Sequence, residues 1–200
     1  MAPQRFPPVI FALLLANCAI FILGPALGLQ RFLFQNFALY ALPSPGFQPW
    51  QPLTYGFLHS GGAHLLLNMF ALWMFGRTME EVWGSRRFAI YYVACLLGAA
   101  VAQMVVAEVT GNIYSRTVGA SGGVFGILLA FGMTFPNQRI LLLIPPVPIK
   151  AKYFVIGYGL LELYSGFTRT NSSVAHFAHL GGMVIGLVLI LYWRSKRQIR

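Results

Sequence analysis

The stretch PVIFALLLANCAIFILGPA, residues 8–26, contains no charged side chain, and several other runs in the chain are nearly as apolar. A helix of about 20 residues is long enough to cross a bilayer, and a helix closes its own backbone hydrogen bonds, as a chain in hydrocarbon must. The whole chain is 58% hydrophobic and only 9% charged, too little charge to coat a soluble domain of this size. These features predict an all-α membrane protein, a single domain of packed transmembrane helices over residues 1–200.

Apolar length and Gly/Pro punctuation place six spans near 8–26, 61–80, 87–107, 120–135, 150–167 and 174–193. The formal charge of +10 sits in the short connections and in the C-terminal RSKRQIR. That distribution fits membrane topology and argues against nucleic acid as a partner. With the N-terminus cytoplasmic, the inner side holds Arg5, Arg77, Arg86, Arg87, Arg139, Lys150, Lys152, Arg194, Lys196, Arg197 and Arg200, and the outer side Arg31, Arg116 and Arg169. This bias puts both termini in the cytoplasm. A cleaved signal peptide is the competing reading of the first span, and removing it leaves the other five oriented as before. Cys18 and Cys95 both lie inside apolar runs, which disfavours a disulfide framework or a cysteine metal site. The connection from 27 to 60 is crowded with aromatics; it reads as a long first outer loop, partly embedded at the membrane boundary, with short interfacial helices.

Few side chains in the spans can do chemistry. The second, fourth and sixth spans all run from outside to inside. His64 and Asn68 share a face in the first two turns of the second, Ser121 stands at the start of the fourth, and His176 and His179 lie in the first two turns of the sixth. Topology thus brings Ser, His, His and Asn to one depth below the outer surface, where polar groups face the protein interior or a cavity. A serine hydroxyl becomes a nucleophile when an imidazole accepts its proton, and the resulting oxyanion needs donors. The Ser121 N–H at a helix start, His64 and Asn68 are candidates for that task. The chain has no aspartate, and its acids are Glu80, Glu81, Glu108 and Glu162. The expectation is therefore a Ser–His dyad whose imidazole is oriented by packing, with no obvious acid behind it. Glu162, mid-span in the fifth helix, is costly there unless protonated or paired.

Taken alone, GASGG at 119–123 is more often helix packing, since Gly119/Gly123 and Gly122/Gly126 are both GxxxG pairs. His59 reads as a hydrogen-bonding loop residue. A haem or metal protein built on His59, His64, His176 and His179 is the rival from another class, but it leaves GASG and Asn68 unexplained. A transporter or inactive binding protein is a second.

The sequence resembles the rhomboid family of intramembrane serine proteases over nearly its whole length. GxSG stands as Gly119-Ala120-Ser121-Gly122, HxxxN as His64 to Asn68, and AHxxGxxxG as Ala178-His179 continuing through Gly182 to Gly186. The resemblance implies a rhomboid-like bundle of six transmembrane helices. It implies Ser121 as nucleophile and His179, rather than His176, as base. His64, Asn68 and the Ser121 N–H would form the oxyanion hole, and Phe125 would pack on the base. Gly119, Gly122, Gly182 and Gly186 would support the site, the last two by letting the fourth and sixth helices touch. Glu80 with Gly84 resembles the ExxxG turn after the second helix, a structural role. Members commonly carry Trp-Arg in the first outer loop, whereas here Gln51 follows Trp50; Gln keeps hydrogen bonding but loses charge and fork, so the anchoring of this loop is where the chain departs from the family. No cofactor or metal is implied. The implied partners are transmembrane protein substrates and membrane lipid, in a bacterial-type inner membrane with the site opening outward. Substrate entry would pass the fifth helix and the loop SGFTRTNSSV at 165–174.

Overall fold

The computed structural model describes residues 7–112, 114–142, 146–168 and 175–199. The first apolar run forms α1, Pro8–Ala26, with proline in its first turn, where the missing N–H costs nothing. Its N-cap provides no side-chain hydrogen bond. Glu80 supplies the cap from elsewhere: Oε1 accepts the Val9 N–H at 3.0 Å and the Ser85 hydroxyl at 2.6 Å, and Oε2 accepts the Ile10 N–H at 2.8 Å. A buried carboxylate here also lies at the positive end of the helix dipole. The ExxxG resemblance implied a structural role for Glu80 at the turn, and the cap on α1 is what this structure adds to it.

The long connection contains α2 (Gln30–Phe37), α3 (Gln51–Thr54) and a 3-10 turn, Tyr55–Phe57, so the short helices expected there are present. Gln51 is fully buried and ties the connection together. Its Nε2 donates to the carbonyls of Gly46 at 2.9 Å and Asn36 at 3.3 Å, and its Oε1 accepts the Tyr40 N–H at 3.3 Å. Trp50 Nε1 donates to the same Asn36 carbonyl at 3.0 Å. Neutral Gln51 therefore anchors this segment without an arginine fork. Leu39 and Thr117 exchange backbone hydrogen bonds of 2.9 Å, and the Gly119 N–H donates to the Tyr55 carbonyl at 3.0 Å. The connection thereby fixes the backbone just ahead of Ser121.

The second helical run is made of α4 (Gly62–Ala71), a π-turn (Leu72–Gly76) and α5 (Arg77–Trp83). A methyl at Gly76 would lie 2.5 Å from Ile10 Cδ1, so glycine at the π-turn admits α1. Gly84, at φ +77°, ends the run in a conformation that favours glycine. Then follow α6 (Ser85–Val109), α7 (Ser121–Thr134), α8 (Ala151–Thr168) and α9 (His176–Ser195). The sequence reading placed all these helical runs within a few residues. It missed a short hairpin between α7 and α8, β1 (Arg139–Leu141) antiparallel to β2 (Pro148–Lys150), with Arg139 opposite Lys150. Of the expected charge pattern and entry loop, Arg5, residues 169–174 and Arg200 lie outside the described residues.

By length and composition, α1, α6 and α9 are each able to cross a membrane, and α7 is a shorter apolar helix. Large apolar side chains face outward, among them Leu15 and Ile22 of α1, Val105 of α6, Leu160 of α8 and Val188 of α9. Hydrocarbon is the environment in which such surfaces are stable. Inside, α6, α7 and α9 pack on small residues. A methyl at Gly122 would overlap Ala99 of α6, and one at Gly182 would overlap the Gly122 carbonyl oxygen. At the opposite end, Trp83, Tyr91 and Trp193 form an aromatic cluster, and Arg194 donates to the Met133 carbonyl at 3.0 Å, closing the C-terminal end of α7.

Candidate active site

Ser121 is the first residue of α7, so its N–H has no carbonyl partner within the helix. The preceding Gly119 has φ +127°, a conformation that a side chain would strain. Ser121 Oγ lies 2.8 Å from His179 Nε2, in the first turn of α9. The close approach of α7 and α9 at Gly122 and Gly182 makes this contact possible. One helical turn after the serine, Phe125 stacks on the His179 ring with centroids 4.2 Å apart and planes within 7°. Tyr158 of α8 also stacks with Phe125, with centroids 5.2 Å apart. The imidazole is thus held flat against an aromatic stack, with Phe125 as its neighbour.

Behind the imidazole the structure departs from that reading. His179 Nδ1 lies 2.9 Å from Glu162 Oε2, and His176 Nδ1 lies 2.7 Å from the same oxygen. Glu162 and His179 are buried. The expectation of an imidazole oriented by packing alone is therefore corrected: an acid from α8, Glu162, stands behind the His179 ring. His176, to which the sequence assigns no role, is linked to the His179 ring through this carboxylate.

The structure brings His64 to the site but does not join Asn68 to Ser121. A methyl at Gly119 would meet His64 Nε2 at 2.8 Å and Ser121 Oγ at 3.7 Å, so both groups border one point. Ser60 faces the other nitrogen of His64, its hydroxyl 3.1 Å and its N–H 3.5 Å from Nδ1. A backbone N–H can only donate, which leaves Nδ1 as acceptor and the ring proton on Nε2, beside Gly119. Asn68 is buried and donates one amide proton to the His64 carbonyl at 2.8 Å; among the described residues that is the one hydrogen bond of its side chain. Among the described residues, the His59 ring does not make the hydrogen bond expected of it. The residue is 3% exposed, both ring nitrogens lack partners among the described residues, and the ring packs edge-on against His64 at 5.0 Å. Burial, with the neighbouring His64 second, pushes its pKa down from 6.5 to about 4. Gly186 also differs from expectation: a methyl there would overlap the hydroxyl of Tyr91, so it accommodates α6 rather than α7.

Glu162, His176 and His179 offer ligand atoms within 4.8 Å of one another, a donor set that could hold a metal. The 2.7 and 2.9 Å contacts are hydrogen-bond lengths, however, whereas ligands about 2.0–2.1 Å from one zinc stand roughly 3.3 Å apart. His64 is likewise already engaged by Ser60.

A family model described as the Rhomboid domain matches residues 46–196, a range that includes every polar side chain of the site. The chain belongs to the rhomboid family. Rhomboid protein 1, mitochondrial, of Saccharomyces cerevisiae is 31% identical over 191 residues, covering 94% of this chain and 54% of that protein. Rhomboid-like protein 16, chloroplastic, of Arabidopsis thaliana is 26% identical over 196 residues, covering 90% and 60%. Rhomboid protease GluP of Bacillus subtilis is 31% identical over 138 residues, covering 68% and 24%. The chain thus spans about half the length of the first two and a smaller part of the third. Family membership together with the apolar helices makes this rhomboid an integral membrane protein.

Glu162 and His176 are the site residues that sequence reasoning left without roles. A signal was present: a carboxylate in an apolar span must find a partner, and His176 and His179, three apart on a helix, share a face.

Proposed function

We propose that this rhomboid is an intramembrane serine endopeptidase that cuts membrane-protein substrates in or near a transmembrane segment. The observation that carries this reading is the 2.8 Å contact between Ser121 Oγ and His179 Nε2 at the start of α7. In this reading all six helical runs cross the membrane, both termini are cytoplasmic, and the site opens to the outer side. The short length of α7 supports the placement. Its 14 residues span roughly 21 Å, against a hydrocarbon core of about 30 Å. With its far end at the inner boundary, Ser121 sits below the outer surface, where lipid excludes all but admitted water.

The reaction follows from the atoms present. Ser121 Oγ attacks the scissile carbonyl carbon while its proton passes to His179 Nε2. The carbonyl oxygen becomes an oxyanion, and the Ser121 N–H, the His64 Nε2–H and the second amide proton of Asn68 are the donors assigned to it. Collapse breaks the C–N bond, and the departing amine takes the proton from His179 Nε2. Water then attacks the acyl-enzyme by the same route in reverse and frees the new carboxyl end.

The test is a cleavage assay on a panel of single-span membrane proteins in detergent or vesicles, with a fluorophosphonate probe as a direct label of the serine. Wild type cleaves at least one panel member and is labelled; Ser121→Ala and His179→Ala do neither. Labelling or cleavage that survives in Ser121→Ala would remove the serine from its role.

A further inference from the structure

The mechanism above uses one nitrogen of His179 and leaves a buried acid and a second imidazole unused. Glu162 is 6% exposed on a helix that is otherwise largely apolar, and its side chain meets two rings through one oxygen. Holding a carboxylate in so dry a place costs several kcal/mol unless hydrogen bonds compensate, and these two contacts are the compensation. An ionised carboxylate has no proton to give, so each ring must donate its Nδ1–H to Oε2.

That requirement has a consequence for catalysis. With the proton on Nδ1, His179 presents an unprotonated Nε2 to Ser121, the tautomer able to accept the hydroxyl proton. The alternative tautomer would point an N–H at the serine and could accept nothing from it. Phe125 fixes the plane of the ring but, being apolar, cannot choose between its nitrogens. The choice falls to the group behind it.

We propose that Glu162 is a positioning residue that holds His179 as the Nδ1–H tautomer and compensates the imidazolium formed during attack, with His176 as the second donor that keeps Oε2 aimed at the base. The proposal rests on the protease reading and turns the expected dyad into a Ser121–His179–Glu162 relay with an auxiliary imidazole. During attack the proton from Ser121 arrives at Nε2 while the Nδ1 proton stays where it is; the carboxylate meets the new positive charge without being protonated. His176 cannot replace His179 as base, because its contact to the site runs through the carboxylate and its Nε2 is buried without a partner among the described residues.

The experiment measures fluorophosphonate labelling of Ser121 as a function of probe concentration, so that the maximal rate constant and the half-saturating concentration are separated. Glu162→Gln keeps shape and removes charge. It should lower the maximal rate by up to about 10⁴, the drop seen when a base loses its orienting acid, while the half-saturating concentration stays within about threefold; a merely structural role would instead lower the fraction of protein that can be labelled. A maximal rate within about threefold of wild type, with His179→Ala unlabelled, overturns the proposal and leaves the protease reading intact. Labelling that persists in Ser121→Ala overturns both. If Glu162→Gln does not fold, ¹⁵N spectra of histidine-labelled wild type decide: an Nδ1–H tautomer at His179 supports the proposal, and an Nε2–H tautomer refutes it.

Discussion

Replacing Gly182 with alanine tests how far the site depends on the approach of two helices. The added methyl would overlap the carbonyl oxygen of Gly122, lie 2.8 Å from its carbon, and stand 3.3 Å from the Cys95 carbonyl oxygen. All three obstacles are backbone, so no side chain can rotate away. The helices must separate by about 1 Å, and such overpacking typically costs 1–3 kcal/mol. The chemical effect should be larger than the loss of stability. Gly122 follows Ser121 directly, and Gly182 lies one turn beyond His179, so the separation acts almost entirely on the 2.8 Å contact between them. A displacement near 1 Å is enough to lower a rate by about 10²-fold. The matched control is Gly157→Ala on α8, where an added methyl meets nothing within 4 Å. Fluorophosphonate labelling and thermal unfolding in the same detergent should show Gly182→Ala folded, with its melting temperature lowered, and at least about 10²-fold slower, with Gly157→Ala close to wild type. Labelling of Gly182→Ala within a factor of about two of wild type would mean that the backbone contact does not set the Ser121–His179 distance.

Asn68→Ala should slow labelling and cleavage by about 10²–10³ while leaving a measurable rate, as loss of one oxyanion donor does; an unchanged rate takes Asn68 out of the hole and leaves its bond to the His64 carbonyl as its role. Glu80→Ala strands the Val9 and Ile10 N–H groups at the start of α1 and should destabilise by about 3 kcal/mol with the Ser121–His179 contact untouched; a melting temperature equal to wild type refutes the capping role. His59 gives a pH dependence of defined sign. Its folded pKa of about 4 lies below 6.5, so the unfolded chain binds the extra proton between those values, and stability contributed by neutral His59 is lost as pH falls through 6.5. At pH 5 the loss relative to pH 7.5 is at most about 2 kcal/mol, and His59→Phe should reduce it. An identical pH profile in that variant places the effect elsewhere.

Most of the helices were legible because two strong signals coincide. Apolar length sets where a span can be, and Pro8 and Gly84 mark where helical geometry begins and stops. The π-turn at 72–76 and the hairpin at 139–150 were not legible. One depends on how α1 meets Gly76, the other on pairing between segments of weak strand character. Within the site, spacing identified faces but not partners. It put Gly182 and Gly186 on one side of α9, yet Gly182 meets α7 and Gly186 meets Tyr91 of α6. Gln51 shows the same limit. Its identity suggested a weaker anchor than arginine, but neutral carbonyl and N–H partners surround it, and against those an amide satisfies more groups than a guanidinium, which can only donate.

Glu162 marks where a constraint in the sequence went further than it was taken. With no aspartate in the chain and Glu80, Glu81 and Glu108 near the ends of α5 and α6, it is the one acid left at the depth of the serine. What sequence could not supply was the rotation of α8 about its own axis, since an isolated carboxylate defines no face. The cost of an unpaired charge dictates that rotation. A carboxylate at this depth must be paired, and His176 and His179 present two imidazoles on one face of the adjacent helix. Turning Glu162 toward them compensates the charge and simultaneously fixes the proton on the base. The same reasoning ranks the variants: removing His176 takes away one of two donors, whereas removing the charge of Glu162 takes away what both donors serve. The order of labelling rates should therefore run wild type, His176→Ala, Glu162→Gln, His179→Ala, and an inversion of the middle pair would mean that His176, not Glu162, controls the tautomer of the base.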